Sequence, residues 1–212
     1  MTTIVVTGTD TGIGKTVVAA MLTLTLDGVY WKPVQAGSLE STDAATVAAI
    51  TGLGPERFVP ERYLLTEPLS PHRAAEIDGV EIDVESLVPP GSMPGGRALI
   101  IEGAGGLMVP LTRHTVNMDL FGRWGAPVVL CARTALGTIN HSLLSVEALG
   151  ARRVPILGIV FVGDSAPDSE HTIREFAGVK RLGRLPLLPR LTPASLVAAF
   201  ETEFRRQDFF GP

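Results

Sequence analysis

The chain has 212 residues, 45% of them hydrophobic and 19% charged, a composition that builds a core and excludes a disordered polymer. A net charge of −4 with no basic run excludes the footprint of a general nucleic-acid binder. The single cysteine, Cys131, excludes an intrachain disulfide and any multi-cysteine metal or iron–sulfur site, and its apolar setting reads as a buried small residue. Along the chain, short apolar β-rich runs alternate with longer segments of helical period. Strands are expected over residues 3–7, 29–32, 98–102, 128–132, 156–162 and 179–185. Helices are expected over 15–26, 42–50, 118–124, 139–149, 169–176 and 194–205. Strands apolar on both faces and separated by helices imply an α/β fold, a mostly parallel sheet with helices on both faces. Ligands then bind at the carboxyl ends of the strands.

Residues 52–97 carry Pro55, Pro60, Pro68, Pro71, Pro89, Pro90 and Pro94, and read as one or two short helices on a long connection without a core of their own. The tail 207–212, with Phe209 and Phe210, is open between a frayed end and a segment docked on a partner subunit. No apolar stretch approaches the ~18 residues of a membrane span. The N-terminal apolar run lacks a basic region and ends in a glycine-rich turn, unlike a secretory signal. The expectation is a cytoplasmic protein with no nucleic-acid or membrane partner, organised as one domain over residues 1–212.

Chemistry enters at the first strand. The run Gly8-Thr-Asp-Thr-Gly12-Ile-Gly14-Lys15-Thr16 lies between a strand and a helix, the context a P-loop requires. Backbone N–H groups of such a loop curl around phosphate, and the helix N-terminus adds a favourable dipole. Lys15 would reach the β and γ phosphates, and the Thr16 hydroxyl would ligate Mg²⁺. Five residues separate Gly8 from Gly14, one more than the usual spacing. The competing reading is an ordinary glycine-rich turn with an exposed lysine, which leaves Gly-Lys-Thr in this context unexplained.

Two further loops leave the same edge of the sheet. Lys32 ends the second strand, and Asp43 opens a helix after Gly37-Ser38; alone, each reads equally as a solvated lysine and a first-turn acid. The third strand ends in Glu102-Gly103-Ala104-Gly105-Gly106, and a carboxylate at such a strand end is how P-loop proteins supply a second acidic contact to Mg²⁺. The glycines beyond it allow close backbone approach to a ligand, or simply a tight turn. Together Thr16, Asp43 and Glu102 offer three oxygen ligands to one hard cation.

These loops resemble those of the dethiobiotin synthetases. The matching residues are Thr7-Gly-Thr-Asp-Thr11 with Gly14-Lys15-Thr16, Lys32-Pro33-Val34 with Gly37-Ser38, Asp43-Ala44, and Ser70-Pro71-His72. Glu102 to Gly106 with Pro110-Leu111, and Leu136-Gly137 with Ile139-Asn140-His141, complete the set in family order. The longer phosphate loop is itself a trait of that family. The resemblance implies a P-loop NTPase-type fold and a homodimer with its active site near the subunit interface. It also implies ATP-driven carboxylation and ring closure of 7,8-diaminopelargonate with CO₂, through a carbamate and a carbamic–phosphoric anhydride.

Carried over residue by residue, the resemblance makes Lys15, Lys32 and Thr11 catalytic, and Thr16, Asp43 and Glu102 the Mg²⁺ ligands. The nucleotide would lie against Gly12, Ile13, Gly14, Lys15, Thr16, Val17, Asp43, Glu102, Gly103, Ala104, Gly105, Gly163, Gly183, Leu185 and Pro186. The substrate would meet Thr11, Lys32, Ala36, Gly137, Thr138 and Asn140, its carboxylate at the helix start there. Three positions depart from the family: Gly12 where an acid is common, Ala36 where a hydroxyl is common, and Gly163 where an asparagine often reads adenine. Glycine has no amide to pair with one base edge, so relaxed base selectivity is expected, with CTP or GTP used at rates comparable to ATP.

Other classes fit less well. Partitioning or cell-division switches carry an additional lysine early in the phosphate loop, and residues 8–14 contain none. Amidating synthetases of the cobyrinate type need a glutamine-hydrolysing domain with a nucleophilic cysteine. A small-molecule kinase leaves Lys32-Pro-Val and the Glu102 loop unexplained. His72 is a candidate for the substrate pocket, His141 reads as a packing residue, and His114 and His171 as surface positions.

Overall fold

The computed structural model describes residues 2–210. In chain order its elements begin with β1 (Thr3–Gly8), α1 (Lys15–Thr25), β2 (Val29–Trp31), β3 (Val34–Ala36) and α2 (Asp43–Thr51). There follow β4 (Phe58–Val59), β5 (Tyr63–Leu65), α3 (Pro71–Asp78), β6 (Leu99–Gly106) and α4 (Asn117–Trp124). The last third holds β7 (Val128–Arg133), α5 (Thr138–Ala151), β8 (Ile156–Val162), α6 (Pro167–Ala177), β9 (Arg181–Leu185) and α7 (Pro193–Glu203). The main sheet is parallel throughout, with seven strands in the order β4-β2-β6-β1-β7-β8-β9. The chain order reverses at β1, between β6 and β7, so the crevice outside its carboxyl end is where such a sheet binds ligands.

Alternation along the strands splits the core into two layers. Ile4 and Val6 of β1 face a cluster with Val18, Met21 and Leu22 of α1, Val47 of α2 and Leu196 and Phe200 of α7. Val5 faces the other side, with Trp31, Ile101, Met118 and Phe121 of α4 and Leu149 of α5. Leu130, Ile159 and Phe161 extend that second face to Ile173 of α6. Side chains buried to this degree contribute about 1.5–3 kcal/mol each, so the two-sided burial is what fixes the loops at the strand ends. Among the described residues no helix is long and apolar enough to cross a membrane.

Three local differences from the sequence expectation have physical causes. The third strand does not stop at Glu102 but continues through the glycines to Gly106, which pairs with Gly8 of β1. A Cβ on Gly106 would lie 3.3 Å from the Gly8 carbonyl, so the glycine serves strand-to-strand closeness there. Residues 52–97 supply α3 and also β4 and β5. β5 pairs with β3 in a small parallel sheet over a satellite core of Val34, Leu65, Ala74, Ile82, Leu111 and Leu120, shared with the rest of the chain. Finally, the tail is not frayed over its described part, and it packs on its own chain, leaving Phe210 partly exposed. Residues Arg206–Phe209 form a 3-10 turn that buries Phe209 against Phe200 and Phe204 of the same chain; residues 211–212 lie outside the described residues.

Candidate active site

At the carboxyl end of β1 the loop 9–14 closes on α1, whose N-cap Gly14 has φ 93°, a left-handed conformation that glycine adopts at no steric cost. The first turn of α1 carries Lys15 inward. Its Nζ donates to the Asp10 carbonyl at 2.8 Å and is otherwise buried, and desolvation lowers the pKa of its ammonium. Thr16 donates from Oγ1 to Glu102 Oε1 at 2.9 Å. Glu102, buried in β6, also accepts at Oε2 from the Tyr30 hydroxyl at 2.9 Å. Burial is the main reason that the Tyr30 phenol is pushed well above its ordinary pKa, so Tyr30 stays a neutral donor.

Lys32, one residue beyond β2, stands between two acids. Its Nζ is bonded to Asp43 Oδ2 and lies 3.5 Å from Glu102 Oε1. Burial works to lower its pKa, but the charges of Glu102 and Asp43 outweigh burial and hold it above the usual lysine value. Two equally buried lysines thus differ in partners: Lys32 is neutralised by carboxylates, whereas Lys15 faces a neutral carbonyl. Asp43 is placed by the buried Gln35, whose Oε1 accepts from the Asp43 amide at 3.0 Å, with Thr42 capping α2. Lys15, Thr16, Lys32, Asp43 and Glu102 therefore form one polar cluster beside the phosphate loop.

Two cavities border the phosphate loop. The first, of about 580 Å³, is lined by Gly12, Ile13, Gly14 and Val17 of the loop and α1, and by Val162, Gly163, Leu185 and Pro186 across it. The second, of about 430 Å³, lies on the other side of the loop, against Thr11, Met108, Val109, His141 and Leu144. Gly103, Ala104 and Gly105, at the end of β6, line neither cavity; Asn117 Nδ2 donates to the carbonyls of Ala104 and Gly106 and fixes that end.

Not every expected residue reaches these cavities. Gly183 lies outside the first one, because a Cβ there would meet the Glu203 carbonyl and the Phe204 ring where α7 ends. Ala36 sits in β3, its carbonyl accepting from Gln35 Nε2 at 2.7 Å. Gly137, Thr138 and Asn140 begin α5 and line neither cavity; the Thr138 hydroxyl is buried without a partner among the described residues. His141 is exposed on the second cavity and is not a packing residue, while His72 is half-buried, bonded through Nδ1 to Ser70 at 3.0 Å, and lines neither. Cys131 is buried, which pushes its thiol up to about 12. Tyr30, Gln35 and Asn117 were not legible as site residues; their partners lie 72, 8 and 11 to 13 residues away, with no local motif between.

A glycine loop bearing an inward lysine at the turning point of a parallel sheet, with a carboxylate on the neighbouring strand, defines a P-loop nucleotide-binding protein. The family model described as AAA domain matches residues 2–195. The chain is 59% identical over 208 residues to the ATP-dependent dethiobiotin synthetase BioD of Rhodopseudomonas palustris strain TIE-1, covering 98% of this chain and 97% of that one. It is 60% identical over 206 residues to the BioD of Bradyrhizobium sp. strain BTAi1, 97% of each chain. The chain belongs to the ATP-dependent dethiobiotin synthetases. Among solved structures it resembles in fold a ParA family ATPase from Chlorobium tepidum (TM-score 0.53, 10% identity, 95% and 92% of the two chains). The MinD cell division protein of Aquifex aeolicus is similar to the same degree (TM-score 0.51, 10% identity, 95% and 96%).

Proposed function

We propose that the chain, acting as one domain over residues 1–212, joins 7,8-diaminopelargonate and CO₂ into dethiobiotin at the expense of ATP. One amine takes up CO₂ and loses a proton to give a carbamate. A carbamate oxygen attacks the γ-phosphorus, expelling ADP and leaving a carbamic–phosphoric anhydride. The second amine then attacks the carbonyl, displaces phosphate and closes the cyclic urea.

The observation that carries this reading is the pair of buried lysines beside the phosphate loop. A carbamate is an anion approaching a polyanion, so cations must line its path. Lys15, buried with three donors and one carbonyl partner, gains most from phosphate oxygens. Lys32, held by Asp43 and Glu102, faces the approaching carbamate, and Thr11 on the second cavity holds the carbamate or its amine. Thr16, Asp43 and Glu102 form an all-oxygen donor set suited to Mg²⁺. With only two carboxylates in that set, phosphate oxygens and water would supply the remaining ligands. Bound there, Mg²⁺ supplies positive charge to the phosphate oxygens.

The first cavity takes the ribose and base, and the second, with exposed Met108 and Leu144 among its lining residues, faces the partner in a homodimer. In that dimer the start of α5, at Gly137, Thr138 and Asn140, receives the substrate carboxylate in its dipole. The enzyme works in the cytoplasm, without nucleic acid or membrane. Base selectivity is relaxed, because Gly163 offers no side-chain amide. The test incubates the purified protein with diaminopelargonate, bicarbonate, Mg²⁺ and ATP, CTP or GTP in turn. Cyclic urea and phosphate are expected at comparable rates with each nucleotide. Hydrolysis indifferent to the diamine sinks the reaction, and a hundredfold preference for ATP sinks the relaxed selectivity.

A further inference from the structure

The base end of the first cavity is walled by Val17, Val162, Leu185 and Leu188, apolar surfaces that grip any base face without reading its edge. Polar side chains there are few. Arg133 is engaged by Asp10, its Nη2 2.9 Å from Oδ2, and Asp164 and Ser165 are exposed on the rim. Gly163 offers nothing of its own: its amide donates to the Leu185 carbonyl at 3.0 Å, and its carbonyl accepts from Arg184 Nη1 at 3.1 Å. Arg184 is braced in turn by Glu203 at 3.0 Å, so that carbonyl is fixed.

Thr134 remains. It is half-buried on the cavity wall just beyond β7, its amide bonded to the Val162 carbonyl at 3.2 Å and its hydroxyl without a partner among the described residues. That hydroxyl occupies the space into which a side chain at 163 would grow. A Cβ on Gly163 would lie 2.4 Å from Thr134 Oγ1, and Gly163 has φ +130°, which L side chains rarely adopt. A side chain at 163 would therefore force the Thr134 hydroxyl out of its present position.

Resting on the placement of the nucleobase in this cavity, we propose that Thr134 is the base-reading residue, its hydroxyl meeting the polar edge of the base. A hydroxyl both donates and accepts and rotates to suit its partner, whereas an amide presents a fixed donor–acceptor pair. Thr134 therefore meets an amino edge or a keto edge alike, which contributes affinity to every nucleotide and selectivity to none.

The test measures dissociation constants of ATP, CTP, GTP and inorganic tripolyphosphate, each with Mg²⁺, for the full chain and for Thr134→Val and Thr134→Ser. Valine keeps the branched shape and removes the hydroxyl; serine keeps the hydroxyl. Thr134→Val is expected to weaken all three nucleotides by roughly threefold to tenfold, the range for one hydrogen bond. Tripolyphosphate, which has no base, binds as before, and Thr134→Ser retains nucleotide affinity. Unchanged nucleotide binding in Thr134→Val overturns the proposal, as does an equal loss for tripolyphosphate or a loss that serine fails to restore. Cyclic urea formation by the unaltered chain is scored separately. The binding pattern without product keeps Thr134 and loses the reaction; product without the pattern loses Thr134 alone.

Discussion

Lys32 is the residue whose environment most constrains its behaviour. An ammonium buried against two carboxylates neutralises them, and removing it leaves Glu102 and Asp43 repelling one another in a poorly solvated place. Breaking a buried pair from one side costs about 3–5 kcal/mol. Lys32→Gln is thus expected to lower thermal stability in metal-free buffer, and added Mg²⁺ should raise the variant's Tm more than the parent's, since the cation replaces the lost charge. Turnover should fall about 10²–10³-fold, the usual loss when one stabiliser of developing negative charge is removed. Nucleotide affinity should change little, because Lys15 and the loop backbone hold the phosphates. Calorimetric melting with and without Mg²⁺, and titration with a non-hydrolysable nucleotide, separate these effects. Equal losses in binding and turnover reassign Lys32 to the nucleotide.

At the scale of elements, α3 is tied to the turn after β6 by charge. Glu76 Oε1 accepts from Arg113 Nε at 2.6 Å and Oε2 from Nη2 at 2.8 Å, while Arg73 Nη1 reaches Oε2 at 3.0 Å. The bonds from Arg113, then those from Arg73, bring the Glu76 carboxyl down from 4.5 to about 2. A depressed acid contributes stability that is present above its unfolded value and lost as pH falls from near 4.5 toward about 2. Amide-exchange protection of residues 111–116 should therefore decline over that window, and by less at high salt, which screens the pairs. Glu76→Gln should remove that dependence, and an unchanged profile in the variant would refute the clamp. Neither this clamp nor the small sheet under α3 is legible in sequence. β3, β4 and β5 are two or three residues long and pair with remote segments, so no period develops. The long strands are legible because burial on both faces leaves continuous apolar runs. Lys15 and Thr16 are legible because the chemistry of a phosphate loop is written in adjacent residues, whereas Asp43 and Glu102, distant in sequence, are singled out by their place after strands and by the family resemblance. Tyr30, Gln35 and Asn117 act only through tertiary contacts, and Gly183, carried over with the family's nucleotide-lining stretch, is packed against the Glu203 carbonyl and Phe204 ring where α7 ends.

For the molecule as a whole, the C-terminal turn decides how the face behind the phosphate loop is closed. Phe209 is 1% exposed, and Phe200 and Phe204 stack at 5.6 Å beside it, within the same cluster as Val18 and Leu22 of α1. Asp208 adds an ion pair to Lys180 at 2.7 Å, ahead of β9. The tail thus covers the layer that positions the helix carrying Lys15 and Thr16, from within its own chain. Truncating a buried phenylalanine to alanine costs about 3–5 kcal/mol. At about 2–4 °C per kcal/mol for a chain of this size, Phe209→Ala should lower Tm by roughly 6–20 °C. No polar member of the site touches Phe209, so nucleotide affinity of the folded variant should match the parent. A tail that docked on a second subunit would behave differently. Phe209→Ala would then weaken association, measured by sedimentation, and leave the melting of dissociated chains where it was. A lowered Tm at protein concentrations too dilute for dimers is the result expected from the intramolecular closure.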